Sequence, residues 1–492
     1  MSHRRNPSQS LNAVRRAREL QELAESEVDV LVVGLGVTGA GVALDAASRG
    51  LTVAAIDAHD LAFGTSRWSS KLVHGGLRYL AKGDVGIARE SAVERGLLMT
   101  RIAPHLVRPL PMLLPAAAGV SKSMIHLARA GMAAGDLLRL TAGTPRGVLP
   151  KPRRLSAVEA RAIVPALEPQ GLRGGLLSWD GQLCDDARLV TGLARAAAGH
   201  GARIITRCRA VSKNQLRDEL TGSSFDIKAR VVINATGIWA ASLAPSLSLR
   251  PSRGSHLVLH KSVLNGLSAG LTVPVPGSTS RYVFALPQHD ERVYVGITDD
   301  PVDGPLPDVP VAPEQDVDFL LSVLNSVLHR PVRRDEVLGT FAGLRPLLAA
   351  PGASADLSRR HAVVSEDGMV TIVGGKLTTY RRMAEHAVNA AVKLAKLPAS
   401  GCVTKSLALP GAGPSNVDAP ARLAARYGSE APLVAAMGTE EVAPGVTTGE
   451  LQWAVRHEGA LDESDLLDRR TRAGLVLADR EAALPFARSL FS

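Results

Sequence analysis

Residues 28–57 constrain this chain more tightly than any other stretch. Val28-Asp29-Val30-Leu31-Val32-Val33 is apolar and β-branched apart from Asp29, the composition of a strand buried on both faces of a parallel sheet. It runs into Gly34-Leu35-Gly36-Val37-Thr38-Gly39 and then into an alanine-rich segment that reads as a helix to about Arg49. Leu51-Thr52-Val53-Ala54-Ala55-Ile56 is a second apolar strand, closed by Asp57. Strand, G-x-G-x-x-G, helix, strand and acid fit within one βαβ unit of about 30 residues.

Each part has a physical task. Gly34 permits a tight turn, Gly36 lets backbone approach a pyrophosphate, and Gly39 lets helix and strand pack closely. The helix N-terminus offers unpaired N–H groups and a positive dipole end to phosphates. Asp57 stands where a carboxylate accepts a hydrogen bond from a ribose 2′-hydroxyl and disfavours a 2′-phosphate. A lone G-x-G-x-x-G is often only a turn. Here the flanking strands and the acid agree, so an adenine dinucleotide is expected, although the fingerprint does not separate FAD from NAD.

At 492 residues the chain is long enough for two or three domains and a large core. Its net charge of +10 favours anionic partners such as phosphorylated metabolites or anionic lipid surfaces. Only 3% of residues are aromatic and none interleave with Arg or Lys, which argues against a nucleic-acid platform. Cys184, Cys208 and Cys402 are far apart and form no C-x-x-C, so neither a disulfide framework nor a metal site is expected. No apolar run follows the basic first residues, as a secretory signal would require, and none reaches the ~20 residues of a spanning helix. The expectation is a protein that is soluble or sits on a membrane surface.

Residues 1–10 read as a disordered basic arm and 11–25 as an amphipathic helix with Leu11, Val14, Leu20 and Leu23 on one stripe. After Asp57 comes a hydroxyl-rich loop, Thr65-Ser66-Arg67-Trp68-Ser69-Ser70-Lys71-Leu72-Val73-His74-Gly75-Gly76-Leu77-Arg78-Tyr79. Its small residues let backbone approach a ligand, and its cations suit an anion. Residues 120–140 read as a helix whose apolar positions (Met124, Leu127, Met132, Leu137, Leu138) suit either a core or a membrane interface. Val231-Val232-Ile233-Asn234-Ala235-Thr236-Gly237 and Val370-Thr371-Ile372-Val373 are further buried strands ending in glycine turns. Short alternating strands over 250–300 suggest an antiparallel sheet, and 415–492 reads as helical.

Taken together, these strings resemble the FAD-dependent glycerol-3-phosphate dehydrogenases, relatives of the D-amino-acid oxidase fold class. The most specific are Ser-Lys-Leu-x-His-Gly-Gly-Leu-Arg-Tyr-Leu from Ser70 and Gly-Gly-Lys-Leu-Thr-Thr-Tyr-Arg from Gly374. Departures include Asp57 for the usual Glu, Ile238 for Pro, Ile297 for Thr and Gln288 for Trp. The resemblance implies an α/β fold with a Rossmann-like FAD-binding domain, an interleaved antiparallel-sheet substrate domain and a C-terminal helical domain. The divisions expected are a basic arm and helix over 1–27, and FAD-binding segments at 28–80, 171–250 and 356–400. Substrate-binding segments are expected at 81–170 and 251–355, and the helical domain at 401–492.

The same resemblance implies oxidation of sn-glycerol 3-phosphate to dihydroxyacetone phosphate, with hydride passing from C2 to flavin N5 and electrons onward to a quinone. FAD would rest on Gly34, Gly36, Gly39 and Asp57, on the loop residues Thr65, Ser66, Ser70, Lys71, Leu72 and Gly76, and on Ala235, Thr236, Gly237 and Trp239. Gly375, Lys376, Leu377 and Thr378 would face the flavin edge where negative charge collects on reduction. Arg78, Tyr79, Arg360 and Lys376 would hold the substrate, with Arg359 an alternative to Arg360 at the phosphate. His256 is the candidate for the hydroxyl proton and Arg345 the group that polarises the substrate oxygen. A cytoplasmic location on the inner face of the cell membrane, an anionic lipid surface and a homodimer complete the implied setting. Other readings are a glycerol-3-phosphate oxidase using O2, a flavin oxidase of another hydroxy or amino substrate, an NAD-dependent dehydrogenase, and a non-catalytic phosphate- or lipid-binding relative.

Overall fold

The computed structural model describes residues 8–76, 84–278, 281–349, 360–413 and 417–492. Its first layer is a sheet of six described strands. Their order is His361–Glu366, Met369–Gly374, Lys228–Asn234, Glu27–Val33, Val53–Ile56, Arg203–Ile205. All neighbours are parallel except the outermost pair, His361–Glu366 with Met369–Gly374. The central strands are buried on both faces, which explains their unbroken Val, Ile and Ala runs. Helices Val37–Ser48, Asp186–Gly199 and Tyr380–Ala395 cover one face. Close packing there depends on Gly39, where a Cβ would lie 1.8 Å from the Gly34 carbonyl oxygen.

The second layer is a larger mixed sheet, mostly antiparallel, built on strands Val107–Pro115, Gly175–Leu183, Ser252–His260, Gly270–Pro274, Tyr282–Pro287, Arg292–Gly296 and Val337–Arg345. Helix Glu314–Asn325 closes its core. Two strands expected in the FAD-binding segments lie in this second sheet instead. Gly175–Leu183 pairs along its whole length with Val107–Pro115, so it belongs with the substrate sheet and not with the FAD-binding segment 171–250. Leu72–Val73 joins the same sheet through Gly181 and Gln182.

The C-terminal region holds helices Thr448–His457 and Leu477–Ser489, with cores of its own. Of the arm expected to be disordered over 1–10, the described part is held at its end, with Ser10 Oγ 2.8 Å from His457 Nδ1, and 1–7 lie outside the described residues. Leu11 N–H donates to the His457 carbonyl (3.0 Å), and Gly459 N–H donates to the Leu11 carbonyl (2.9 Å). Asn12 then caps helix Ala13–Glu25, which buries Leu23 and Arg16 but leaves Val14 exposed.

A seam of buried ion pairs joins the C-terminal region to the dinucleotide layer. Asp60, fully buried, accepts from Arg469 Nε (2.6 Å) and from Arg470 Nη1 (2.7 Å) and Nη2 (2.8 Å). Arg188 on helix Asp186–Gly199 donates to both Glu458 oxygens (2.8 and 3.3 Å). Burial alone would raise the Asp60 carboxyl, but Arg470 and Arg469 hold it well below the usual range. Removing one member strands the others in a dry interior. Asp60→Asn should therefore cost about 3 to 5 kcal/mol at neutral pH, read by urea denaturation. Because the carboxyl is depressed, this advantage over the Asn variant persists above the ordinary Asp value of about 3.9 and shrinks only as pH falls below it.

Candidate active site

A cavity of about 1260 Å³ lies between the two layers, at the carboxyl ends of the parallel strands. This exceeds the ~300–1,000 Å³ of an ordinary ligand pocket. Its first end is the fingerprint turn. Gly34 has a φ of +101°, and a Cβ there would lie 2.7 Å from the Ala235 carbonyl oxygen. Gly36 faces Ser66, whose hydroxyl accepts the Val37 N–H (2.9 Å) at the start of helix Val37–Ser48. Asp57 accepts from Leu35 N–H (2.7 Å) and His59 N–H (2.8 Å), which orients its carboxyl at the cavity wall. Ala235, Thr236, Gly237 and Trp239 continue this wall after strand Lys228–Asn234.

The hydroxyl-rich loop forms the next part. Thr65, Ser66, Ser69, Ser70 and Leu72 line the cavity, and Thr65 Oγ1 donates to the Leu344 carbonyl (2.7 Å), tying loop to substrate sheet. Lys71 does not line the cavity. Its ammonium is buried against Asp186 (2.9 Å) and the carbonyls of Arg67 (2.9 Å) and Ser69 (3.1 Å). Gly76 lies behind the wall, packed at a φ of +81° against Ala88 and Ser91. Opposite, Gly374 and Gly375 turn in the left-handed region (φ +78° and +70°) and lead through Leu377 and Thr378 into helix Tyr380–Ala395. Lys376 lines this edge, and its ammonium donates to the Ser91 hydroxyl.

The mixed sheet supplies the last wall. Arg345 lines the cavity with its guanidinium fixed by Asp299 Oδ1 (3.1 Å), Ser252 Oγ (3.3 Å) and the Thr298 carbonyl (3.0 Å). Ile297 stands beside it. His256 was expected to meet substrate directly, and its position differs. It is fully buried behind Ser70, with Nε2 2.8 Å from Ser70 Oγ and the ring stacked on Phe341 at 4.5 Å. Nδ1 has no hydrogen-bond partner among the described residues. Burial, then Lys71 and Arg345, hold the imidazole well below its ordinary range, so it is neutral.

Arg360 was expected at the phosphate. It lies outside the cavity wall, two-thirds exposed, with Asp84 at 3.0 Å. Arg78, Tyr79 and Arg359 fall outside the described residues. Among the lining residues that had been given no individual task are His74 and Asp180. Asp180 accepts from Gly75 N–H (3.0 Å) and Arg95 Nη1 (2.6 Å), anchoring the Gly75-Gly76 turn. The available signal was their position, one inside the hydroxyl-rich loop and the other beside Trp179.

Such a cavity, built at one end for an adenine dinucleotide and bearing fixed cations at the other, belongs to a dinucleotide-dependent oxidoreductase. The glycine cradle that any Cβ would fill, and the second glycine turn facing it, fit FAD. A family model described as FAD dependent oxidoreductase matches residues 29–381, and one for the C-terminal domain of alpha-glycerophosphate oxidase matches 371–490. The chain is 51% identical over 510 residues to glycerol-3-phosphate dehydrogenase 1 of Mycobacterium tuberculosis, with 99% of each covered. It is 35% identical to the glycerol-3-phosphate dehydrogenase of Mycobacterium leprae, over 97% of this chain and 86% of that one. The X-ray structure of the Bacillus halodurans glycerol-3-phosphate dehydrogenase complexed with FAD superposes with a TM-score of 0.75 at 27% identity, covering 98% and 94% of the two chains. The chain therefore belongs to the FAD-dependent glycerol-3-phosphate dehydrogenase family.

Burial lifts the Asp57 carboxyl to about 6. The ionised form is the better acceptor for a ribose hydroxyl, so binding favours it. FAD affinity, followed by quenching of flavin fluorescence, should weaken as pH falls through about 6. In Asp57→Asn it should be weaker at neutral pH and flat across that range.

Proposed function

We propose that this protein oxidises sn-glycerol 3-phosphate to dihydroxyacetone phosphate and passes the electrons to a membrane quinone. The observation that carries the reading is Arg345, a cation held rigidly at the cavity wall by three acceptors. Its orientation is fixed before substrate arrives, so it can stabilise developing charge on the C2 oxygen without reorganisation. Bound FAD supplies the acceptor for the C2 hydride.

The residues supply the rest. The C2 hydroxyl proton leaves through Ser70 to neutral His256, whose Nε2 lies 2.8 Å from that hydroxyl. The phosphate is assigned to Arg78, Tyr79 and Lys376, and not to the outlying Arg360. Gly375, Leu377 and Thr378 lead into helix Tyr380–Ala395, whose positive dipole end would favour the reduced, more negative form of a flavin held there.

The acceptor is argued from helix Lys122–Thr141. One side of it, with Met124, Leu127 and Met132, forms an apolar part of the cavity together with Met112, Leu114 and Phe284. That surface suits an isoprenoid quinone better than free diffusion of oxygen demands. Leu137 and Leu140 are exposed on the same helix, which also exposes Lys122 and Arg129, a pattern suited to an anionic lipid surface. Among the described residues no helix is long and apolar enough to cross a membrane. A peripheral position on the cytoplasmic face of the cell membrane is part of the same proposal.

Glycerol 3-phosphate added under argon should bleach the flavin band, and a soluble quinone should restore it faster than air does. A band that ignores this substrate would refute the assignment. Rapid restoration by air with peroxide formed would favour an oxidase. Arg345→Lys should slow bleaching by about 10²-fold or more with FAD still bound. Leu137→Glu with Leu140→Glu should abolish sedimentation with phosphatidylglycerol vesicles while turnover with a soluble acceptor persists.

A further inference from the structure

The arginines of the C-terminal region do more than dock it. Arg472, whose side chain is 7% exposed, donates to Asp186 Oδ1 and to the Arg67 carbonyl (3.1 Å), and its Nε lies 3.2 Å from Asp185. The other oxygen of Asp186 accepts three donors from the hydroxyl-rich loop, Ser69 N–H (2.9 Å), Ser69 Oγ (2.7 Å) and Lys71 Nζ (2.9 Å). Between Ser69 and Lys71 sits Ser70, the cavity-lining residue bonded to His256. Lys71 adopts a φ of +57°, a left-handed conformation that is unfavourable for a side-chain-bearing residue and needs support from its surroundings.

We infer that Arg472 is a positioning residue for the reaction, acting through Asp186 to hold Ser69-Ser70-Lys71 so that Ser70 bridges the cavity and His256. The inference rests on the glycerol 3-phosphate reading above. The geometry is specific in three respects. One carboxylate is shared between a C-terminal guanidinium and the loop, so the C-terminal region reaches Ser69 and Lys71 through Asp186. A lysine at 472 could not keep the contacts to Asp186, Asp185 and the Arg67 carbonyl together, because an ammonium is a point charge without the planar fork. The Lys71 ammonium, held down to about 8 by burial and then by Arg472, spends its donors on Asp186 and two loop carbonyls. It therefore braces the loop and makes no contact with the cavity.

The test compares Arg472→Lys with Glu458→Gln, which weakens the Arg188 pair in the same seam without touching residues 67–71. Both holoenzymes are studied with FAD bound. Arg472→Lys should reduce its flavin with glycerol 3-phosphate about a hundredfold more slowly, with KM little changed, the effect expected of a misplaced reacting group. The ¹⁵N NMR signals of the His256 ring, recorded without substrate, should shift as the Ser70 bond is lost. Glu458→Gln should melt at a lower temperature yet keep the wild-type reduction rate and His256 signals. Asp186→Asn cuts the same link from the loop side and carries the test if the Arg472 variant does not purify. Wild-type reduction and His256 signals in the link variants would overturn the inference, as would equal losses in Glu458→Gln. A wild-type flavin that ignores glycerol 3-phosphate overturns the substrate reading instead, and the His256 signals then decide the positioning role alone.

Discussion

The structure depends on buried carboxylates that each serve more than one cation. Asp60 receives Arg469 and Arg470, and Asp186 receives Lys71 and Arg472. Taking such groups from water is expensive, and the attraction between them offsets it only when remaining hydrogen-bond sites are also filled. Both acids come close to that condition, accepting fork donors on one side and, for Asp186, backbone and hydroxyl donors on the other. The hydroxyl-rich loop has little apolar surface of its own. Its shape is set by polar contacts whose directions are narrow, and narrow directions are what a cavity wall requires.

The same charges tune the chemistry. Lys71 and Arg345 flank His256, and together with burial they keep its imidazole neutral. A neutral imidazole reached through a serine hydroxyl can receive a proton, whereas an imidazolium could not. Arg345 lines the cavity itself, so in the proposed reaction the two residues would divide the work of one oxygen between charge and proton. The division follows from depth. The residue at the wall is paired with Asp299, while burial, then Lys71 and Arg345, outweigh Asp186 at the residue behind it.

How much of this was legible depended on range along the chain. The βαβ unit is local, and its strands, glycines and acid could be placed from adjacent residues alone. The Gly374-Gly375 turn was legible for the same reason. Strand Val107–Pro115 was not, because Pro109 and Pro111 disguise it. Its pairing with Gly270–Pro274 is confined to Met112 and Leu113, so the prolines fall where a neighbour on one side is missing and no N–H is required. Membership of Gly175–Leu183 in the substrate sheet follows from that hidden strand. The burial of His256 was equally unreadable, since it is set by Phe341 and Ser70 from distant segments. Asp186 could be seen only as an acidic first turn of a helix, and its partners came from residues 69, 71 and 472.

If the acceptor is the quinone proposed above, the two ends of the cavity ask for opposite solvents, and the layered plan suits both. Glycerol 3-phosphate needs fixed cations and a proton path, which only a rigid polar wall provides. A quinone needs an apolar approach from a bilayer, which a rigid polar wall would block. The mixed sheet presents Arg345 at one end of its strands and Met112, Leu114 and Phe284 elsewhere on the same cavity face, with the Lys122–Thr141 helix along the apolar part. That helix keeps only Arg139 fully buried, so its hold on the body is light compared with the ionic seam beneath the hydroxyl-rich loop. A tightly held wall for the polar reactant and a loosely held helix for the apolar one are compatible only if a separate element carries the rigidity. In this chain the C-terminal region is that element, through arginines that reach the loop while leaving the apolar side of the cavity alone.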